Sequence, residues 1–119
     1  MAILVGKQAE RVAAAFLTNK GYTVVDQNVS YSFGELDLIM WHKEVLVFCE
    51  VKYRKDQSFS LALEAVNRSK QRKIILAAHA YLNKYHRVMP ACRFDVVAIS
   101  GDLKNPAIEH IEDAFLDEG

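Results

Sequence analysis

Apolar residues recur at helical spacing in two parts of the chain. The first stripe predicts a helix over residues 7–19, and Gly21 supplies its end. A second helical region is predicted after residue 60, and we expect a break in it near residues 67–69. Its later part begins with Lys70 and Gln71. The two apolar stripes are Ala9, Val12, Ala13, Phe16 and Leu17, and Ile74, Ala77, Ala78, Tyr81, Leu82 and Tyr85.

The remaining apolar residues form short runs that are typical of β-strands. Strands are predicted at residues 22–25, 36–41, 45–53, 93–99 and 107–111, with a loop or an edge at 29–34. The runs at 36–41 and 45–53 are apolar on both faces, as expected of central strands, and the polar pair His42-Lys43 predicts a hairpin turn between them. The resulting order, α-β-β-β-α-β-β, predicts an α/β protein with a mixed central sheet flanked by helices.

The composition predicts a single domain over residues 1–119. Of the 119 residues, 51% are hydrophobic, which is enough to bury one core without disulfides. The two cysteines, Cys49 and Cys92, lie inside apolar runs that are typical of strands, where a thiol behaves as a small buried apolar group; this suits a reducing cytosol. Since no apolar run approaches the ~18 residues of a membrane span, and residues 2–5 are too short for a signal peptide, we expect a soluble, cytoplasmic protein without membrane contact.

Charge is balanced overall but unevenly placed. The formal net charge is +0, which argues against a protein that binds polyanions through bulk electrostatics alone. Between residues 52 and 73, however, basic residues outnumber the acidic residues Asp56 and Glu64. These basic residues are Lys52, Arg54, Lys55, Arg68, Lys70, Arg72 and Lys73. The segment is either a basic face for nucleic acid or ordinary solvated surface.

Two short motifs carry the candidate chemistry: Gly34-Glu35-Leu36-Asp37 and Glu50-Val51-Lys52. Side chains alternate across a strand, so Glu50 and Lys52 share one face. If the hairpin turns at residues 42–43, Asp37 pairs with Phe48 and becomes a diagonal neighbour of Glu50, roughly 7–8 Å away at the backbone. A slip of one residue would instead send Asp37 to the opposite face. The placement of both carboxylates on one face therefore depends on the turn.

Two carboxylates at that separation favour a cation between them. Without a cation they repel each other, whereas Mg²⁺ takes one or two carboxylates together with waters and substrate phosphate oxygens. Asp37 and Glu50 are therefore candidate metal ligands, and Lys52 would reach the scissile phosphate or the attacking water. The plain alternative is a charge pair on a surface strand. The apolar residues before Glu50 instead indicate burial, where an uncompensated carboxylate is costly.

Other candidate groups are less specific. Glu10 lies at the border of the first helical stripe and is either a further site group or a solvated glutamate. Lys70 and Gln71 begin a helix, where backbone N–H groups and a cation would hold a phosphate, although cations at helix ends are common. The four histidines have no ligand-like spacing, and each is expected at the surface or in a turn: His42, His79, His86 and His110.

Several motifs together resemble those of the YraN family of small proteins, nearly from end to end. They are Glu10, Asn28, Gly34-Glu35-Leu36-Asp37-Leu38-Ile39, Phe48-Cys49-Glu50-Val51-Lys52-Tyr53-Arg54, Lys70, Ala80-Tyr81-Leu82 and Arg93-Phe94-Asp95-Val96-Val97. That family is similar to archaeal Holliday-junction resolvases and other PD-(D/E)xK nucleases. The resemblance implies a restriction-endonuclease-like fold and a metal site formed by Glu10, Asp37, Glu50 and Lys52. The sequence departs from the family pattern at Ser30 and Tyr31, where arginines are expected, and at Ser60, where a glycine is expected.

These observations lead to three hypotheses. The first is a Mg²⁺- or Mn²⁺-dependent endonuclease for structured or branched DNA, in which Asp37 and Glu50 hold the metal. In that enzyme Lys52 activates the scissile phosphate or the attacking water, and Glu10 assists as a further group of the site. The residues that contact nucleic acid are Arg54, Lys70 and Gln71. The second is a non-catalytic nucleic-acid-binding or assembly module with the same fold, and the third is a structural domain whose charges are paired. Whether two copies form a homodimer on a symmetric substrate stays open.

Overall fold

In the part of the chain that the structure describes, two helices cover the opposite faces of one five-stranded sheet. The structure is a computed structural model and describes residues 2–55 and 66–117. Its elements are α1 (Ala2–Asn19), β1 (Thr23–Tyr31), β2 (Gly34–His42), β3 (Val45–Arg54), α2 (Arg68–Tyr85), β4 (Ala91–Ser100) and β5 (Ala107–Phe115). The predicted α/β class and the predicted element order are confirmed.

The sheet is mixed, as predicted. Its strands lie in the order β1-β2-β3-β4-β5, and β3 and β4 run parallel while the other neighbours are antiparallel. Parallel neighbours need a crossover connection, and α2 lies in that connection. Strand β1 forms one edge of the sheet. It joins the predicted strand at 22–25 to the predicted loop or edge at 29–34, with a register shift between Val24 and Asp26.

Alternation along the central strands sends side chains into two cores. In β3, Leu46 and Phe48 face α2, whereas Val47 and Cys49 face α1. The helical residues that meet them are Ala9, Ala13 and Leu17 of α1, and Ile74, Ala77, Ala78, Tyr81 and Leu82 of α2. Both predicted apolar stripes therefore pack against the sheet, except for Tyr85 at the end of α2, which is 55% exposed. Neither α1 nor α2 has the length and apolar character to cross a membrane.

Local signals set the ends of both helices. Helix α1 ends at Asn19, and Gly21 follows with a φ of 96°, in the left-handed region that favours glycine. Helix α2 begins after Asn67, whose side-chain oxygen accepts a hydrogen bond from the Lys70 N–H at 2.9 Å. The break expected near residues 67–69 is this helix start. The helical region predicted before it falls largely in residues 56–65, outside the described residues.

The predicted turn between β2 and β3 is wrong by one residue. The turn lies at residues 43–44 instead of 42–43, and its first residue has a φ of 56°, which the common hairpin turns require at that position. The register is consequently shifted by two residues, so Ile39 rather than Asp37 lies opposite Phe48. Because a shift of two residues preserves the alternation, side chains keep their predicted faces.

Two other expectations about burial are wrong. Cys49 is buried as predicted, but Cys92 is exposed, because the first two residues of β4 lie at the exposed end of that strand. His110 was expected at the surface, yet its side chain is only 2% exposed. Its Nε2 hydrogen-bonds to Asp95 Oδ2 on the neighbouring strand at 2.8 Å. A buried carboxylate on another element therefore explains the burial of this histidine.

Asp95 is completely buried and held by several hydrogen bonds. Arg93 donates to both of its oxygens, at 2.8 and 3.0 Å. His110 lies at 2.8 Å, and the Asp113 N–H donates at 3.0 Å. Burial raises the pKa of this carboxyl, but the hydrogen bonds from His110 and Arg93 outweigh burial and hold the pKa below its usual range. Asp95 therefore stays ionised inside the protein and ties β4 to β5.

Gly34, the first residue of β2, lets α2 approach the sheet closely. A Cβ at this position would lie 2.5 Å from the backbone oxygen of Lys73 and 3.1 Å from its carbonyl carbon. The φ of Gly34 lies outside the left-handed region, so glycine is required here for space and not for backbone conformation. The glycine of the Gly34-Glu35-Leu36-Asp37 motif thus sets the distance between β2 and α2.

We expect Gly34→Ala to destabilise the protein by about 1–3 kcal/mol, because the carbonyl it would meet belongs to the helix backbone and cannot rotate away as a side chain can. Urea denaturation of the purified variant measures the change. Gly6→Ala is the matched control: nothing lies within 4 Å of a Cβ at that position, and alanine favours a helix, so stability should be unchanged or higher. Wild-type stability in Gly34→Ala would contradict the close approach.

Candidate active site

The backbone pairing between β2 and β3 ends at Leu38 and Cys49. Beyond this pair, the two strands are joined by a side-chain contact at Asp37. One residue further along β2, Asp37 Oδ2 accepts a hydrogen bond from the Val51 N–H at 2.9 Å. Strand β3 continues to Arg54 beside β4. The start of β2 and the end of β3 are therefore joined by a carboxylate where a backbone carbonyl would otherwise accept.

A polar cavity of about 400 Å³ lies beside this contact, between the start of β2, the end of β3 and the first turns of α2. Its charged lining residues are Glu35, Asp37, Glu50, Lys70 and Lys73. The carboxyl groups come from the two strands and the ammonium groups from the helix. The structure thus brings together the two carboxylates that the strand pattern predicts on one face, and it places the cationic start of α2 against them.

Glu50 is a buried acid with a strongly altered pKa. The residue is 6% exposed, and burial is the main cause that raises the pKa of its carboxyl from 4.5 to about 9. A side-chain hydrogen bond with Asp37 and the negative charge of Asp37 raise the pKa further, whereas the charges of Lys70 and Lys52 lower it by less. At neutral pH, Glu50 therefore keeps a proton that it shares with Asp37.

Two lysines face this acidic pair from different elements. Lys70 of α2 places its Nζ 3.9 Å from Glu50 Oε1, and Lys52 of β3, when its amine is neutral, accepts a hydrogen bond from Lys70. Burial lowers the pKa of Lys52, and the hydrogen bond with Lys70 lowers it further. The same hydrogen bond raises the pKa of Lys70. Lys52 is therefore the lysine that loses its proton first as the pH rises.

Glu10 of α1 interacts with Asp37 and Glu35. Burial raises its pKa, the charge of Asp37 raises it further, and a hydrogen bond with Asn28 lowers it. Asn28 lies between the residues of β1 that pair with Leu36 and Leu38, so it stands opposite Asp37. Its φ is 55°, a left-handed conformation that asparagine tolerates better than most residues. The apolar pattern does not reveal Asn28; an asparagine inside a strand is the signal that points to it.

The three residues predicted to contact nucleic acid lie in different places. Lys70 lines the cavity, and Arg54 is exposed at the end of β3. Gln71 is not brought to the cavity, because its side chain donates to Val66 O at 2.9 Å and lines a groove between α2 and β5. Lys73 joins Lys70 in the cavity instead. Its spacing of three residues from Lys70 on the same helix is the signal that identifies it.

The donor set fits a hard cation that a substrate helps to bind. Within residues 2–55 and 66–117, no group of three or more His, Cys, Asp or Glu side chains is arranged to hold a metal ion. Asp37 and Glu50 do converge, and Mg²⁺ takes only one or two carboxylates when waters and phosphate oxygens complete its shell. These two residues would therefore hold Mg²⁺ or Mn²⁺ together with a phosphate. The cation would replace the proton that Glu50 retains at neutral pH.

Comparison with known proteins gives one consistent result. Residues 9–99 match a family described as "Uncharacterised protein family UPF0102". A UPF0102 protein of Shewanella sp. (strain W3-18-1) is 45% identical over 95% of this chain and 100% of its own length. UPF0102 proteins of Nitrosospira multiformis and Chlorobium phaeobacteroides are 46% and 41% identical over 94% and 93% of this chain, and over 92% and 93% of their own lengths. YraN proteins form the UPF0102 family, so these matches confirm the resemblance to the YraN family.

Glu50→Gln should make protein stability less dependent on pH. Because the folded-state pKa of Glu50, about 9, lies above the ordinary value of 4.5, folding favours the protonated form. The stability that this group contributes at low pH is lost as the pH rises toward 9. Glutamine mimics the protonated form. We expect similar unfolding free energies at about pH 5, and at about pH 8.5 a variant more stable than the wild type by at least about 1.4 kcal/mol, the equivalent of one pKa unit.

Urea denaturation without divalent cations measures this difference. Glu44→Gln, in the exposed turn between β2 and β3, is the matched control and should differ from the wild type by the same small amount at both pH values. A Glu50→Gln advantage that does not grow with pH would contradict the raised pKa.

Proposed function

We propose that this chain, which belongs to the uncharacterised protein family UPF0102, is a metal-dependent endonuclease for structured or branched DNA. The observation that carries the proposal is the meeting of Asp37 and Glu50 in one cavity, with Lys52 and Lys70 beside them. Phosphodiester hydrolysis uses both kinds of charge, because carboxylates hold a cation and ammonium groups hold the phosphate.

Asp37 and Glu50 would hold Mg²⁺ or Mn²⁺. When bound, the cation supplies positive charge for the phosphate oxygens and lowers the pKa of the attacking water. Asp37 is held in place by the Val51 N–H, so it does not need to reorient. Glu50 must release its proton, so metal affinity should increase as the pH rises toward about 9.

The side chains of this protein supply the proton transfers. In hydrolysis, the oxygen of a water molecule bonds to phosphorus, and the bond from phosphorus to a sugar oxygen breaks. Lys52, whose pKa is lowered by burial, accepts the proton of that water in its neutral form. Lys70, whose pKa is raised, stays an ammonium and donates hydrogen bonds to the phosphate. Glu10, whose pKa is also raised, is a second group near Asp37 that can carry a proton, and the released sugar oxygen takes a proton from solvent.

The cations at the start of α2 would hold the nucleic-acid backbone. The first turn of α2 contains no acidic residue, and Lys70 and Lys73 line the cavity. The partial positive charge of the helix start adds to their attraction for phosphate. Arg54, exposed at the end of β3, is a further cation that could contact nucleic acid. Since the whole chain has a net charge of +0, binding depends on this local face and should weaken with added salt.

Two observations favour a second candidate, a non-catalytic nucleic-acid-binding or assembly module. Among the residues that the structure describes, the converging carboxyls are not part of a larger group of metal-ligating side chains. Glu50 also holds a proton at neutral pH. In such a module, the lysines alone would bind phosphate. The two candidates differ in whether Mg²⁺ or Mn²⁺ leads to cleavage of the bound nucleic acid.

Asp37→Asn and Lys52→Met should each lower Mg²⁺- or Mn²⁺-dependent cleavage at least ~100-fold. Asp37→Asn removes a carboxylate that would hold the cation, and Lys52→Met removes the group that accepts the proton of the attacking water. Asparagine keeps an oxygen for the Val51 N–H, so the fold should be retained, and thermal melting checks this. Gel assays with duplex, single-stranded and branched DNA and with RNA measure the cleavage.

Glu44→Gln removes an exposed carboxylate from the β2–β3 turn and should cleave like the wild type. Cleavage retained in Asp37→Asn would contradict the proposed enzyme. Wild-type protein that binds these nucleic acids without cleaving any of them, while Lys70→Ala weakens binding, would support the binding module instead.

A further inference from the structure

The turn between β1 and β2 carries an aromatic ring at its tip. Residues 32–33 form the turn, and Phe33 is 44% exposed. Its ring stacks on that of Tyr31, with centroids 5.4 Å apart and an angle of 6° between the planes. Tyr31 in turn packs against the core on the α2 face. Phe33 is therefore the outer ring of a stacked pair whose inner ring, Tyr31, rests on the core.

Turn chemistry does not explain a phenylalanine at this place, and burial explains it only in part. Tight turns favour glycine, proline, asparagine, aspartate and serine, whose backbones or side chains suit the bend. A ring that is 44% exposed also buries only part of the apolar surface with which it could stabilise the fold. The exposed surface of Phe33 is thus suited to a ligand that itself has a flat ring.

The tip is fixed against the candidate active site. Gly34 and Glu35, which follow Phe33, line the cavity together with Lys70 and Lys73. A Cβ on Gly34 would lie only 2.5 Å from Lys73 O, so the end of the hairpin and α2 are in direct backbone contact. Because Phe33 immediately precedes Gly34, the packing of Gly34 against α2 fixes Phe33 at the edge of the cavity that Lys70 and Lys73 line.

We propose that Phe33, supported by Tyr31, is a stacking platform for an unpaired nucleobase next to the phosphate held by Lys70 and Lys73. The inference rests on the proposed function and adds the class of substrate to it. A nucleotide combines the two chemistries that meet here, a flat aromatic base and an anionic phosphate. Because a base inside a duplex already stacks on its neighbours, the platform selects nucleic acid with an unpaired nucleotide beside the bound phosphate, as in a bulge, a flap or a single-stranded end.

The test compares binding of two DNA probes in Ca²⁺, so that affinity is measured apart from Mg²⁺-dependent cleavage. One probe is a fully paired duplex, and the other is the same duplex with one unpaired nucleotide. Phe33→Leu keeps an apolar side chain but removes the flat ring. Fluorescence anisotropy should show about 5- to 100-fold weaker binding of the bulged probe by this variant, with less than about a twofold change for the paired duplex.

A second readout reports stacking directly. With 2-aminopurine at the unpaired position, the wild-type protein should quench its fluorescence, and Phe33→Leu should not. Phe33→Trp keeps a flat ring and should bind the bulged probe at least as tightly as the wild type. Val88→Ala trims another exposed apolar residue, which is 83% exposed in the connection between α2 and β4, and should leave both affinities unchanged.

Each alternative outcome overturns a different statement. Equal affinity of Phe33→Leu and the wild type for the bulged probe, without quenching, would overturn the platform alone. Quenching and Phe33-dependent binding without cleavage in Mg²⁺ or Mn²⁺ would support the platform and overturn the hydrolytic function. Failure of the wild-type protein to bind any probe would overturn both.

Discussion

The hydrogen bond from the Val51 N–H to Asp37 Oδ2 is the constraint on which the candidate site depends. Between two central strands such an N–H normally pairs with a backbone carbonyl, and leaving it unpaired inside the protein costs about 1–3 kcal/mol. The carboxylate takes the place of that carbonyl beyond the pair Leu38–Cys49. The same contact fixes Asp37 beside Glu50. The side chain of Asp37 thus accepts the hydrogen bond of a backbone N–H beyond the last strand pair, and it also supplies a charged group to the cavity.

The charges in this cavity depend on one another. Glu50 keeps a proton at neutral pH because burial, followed by Asp37, opposes a second negative charge. Lys52 and Lys70 also act on each other, and burial together with the neighbouring lysine lowers the pKa of Lys52. A cation or a phosphate that enters the cavity would therefore change the protonation of several groups at once. An exposed charge pair, screened by water, lacks this sensitivity.

Periodicity predicts the faces of the strands, and packing decides the rest. Alternation places Glu50 and Lys52 on one face whichever residues form the turn. The turn itself depends on the φ of residue 43, which a polar pair does not specify, so the predicted register is off by two residues. The faces are kept because two is an even number. Burial of His110 follows from Asp95 on the next strand, and no local pattern contains that contact.

A comparison of two buried acids shows why function is expected at one of them. Asp95 and Glu50 are 0% and 6% exposed. Asp95 receives four hydrogen bonds, two of them from Arg93, and they hold its pKa below the usual range although burial raises it. Its charge is already compensated, so it serves the fold. Glu50 instead shares a proton with Asp37, and its ionised form becomes favourable when a cation from outside joins the pair. The same burial therefore stabilises structure at one acid and prepares the other to bind.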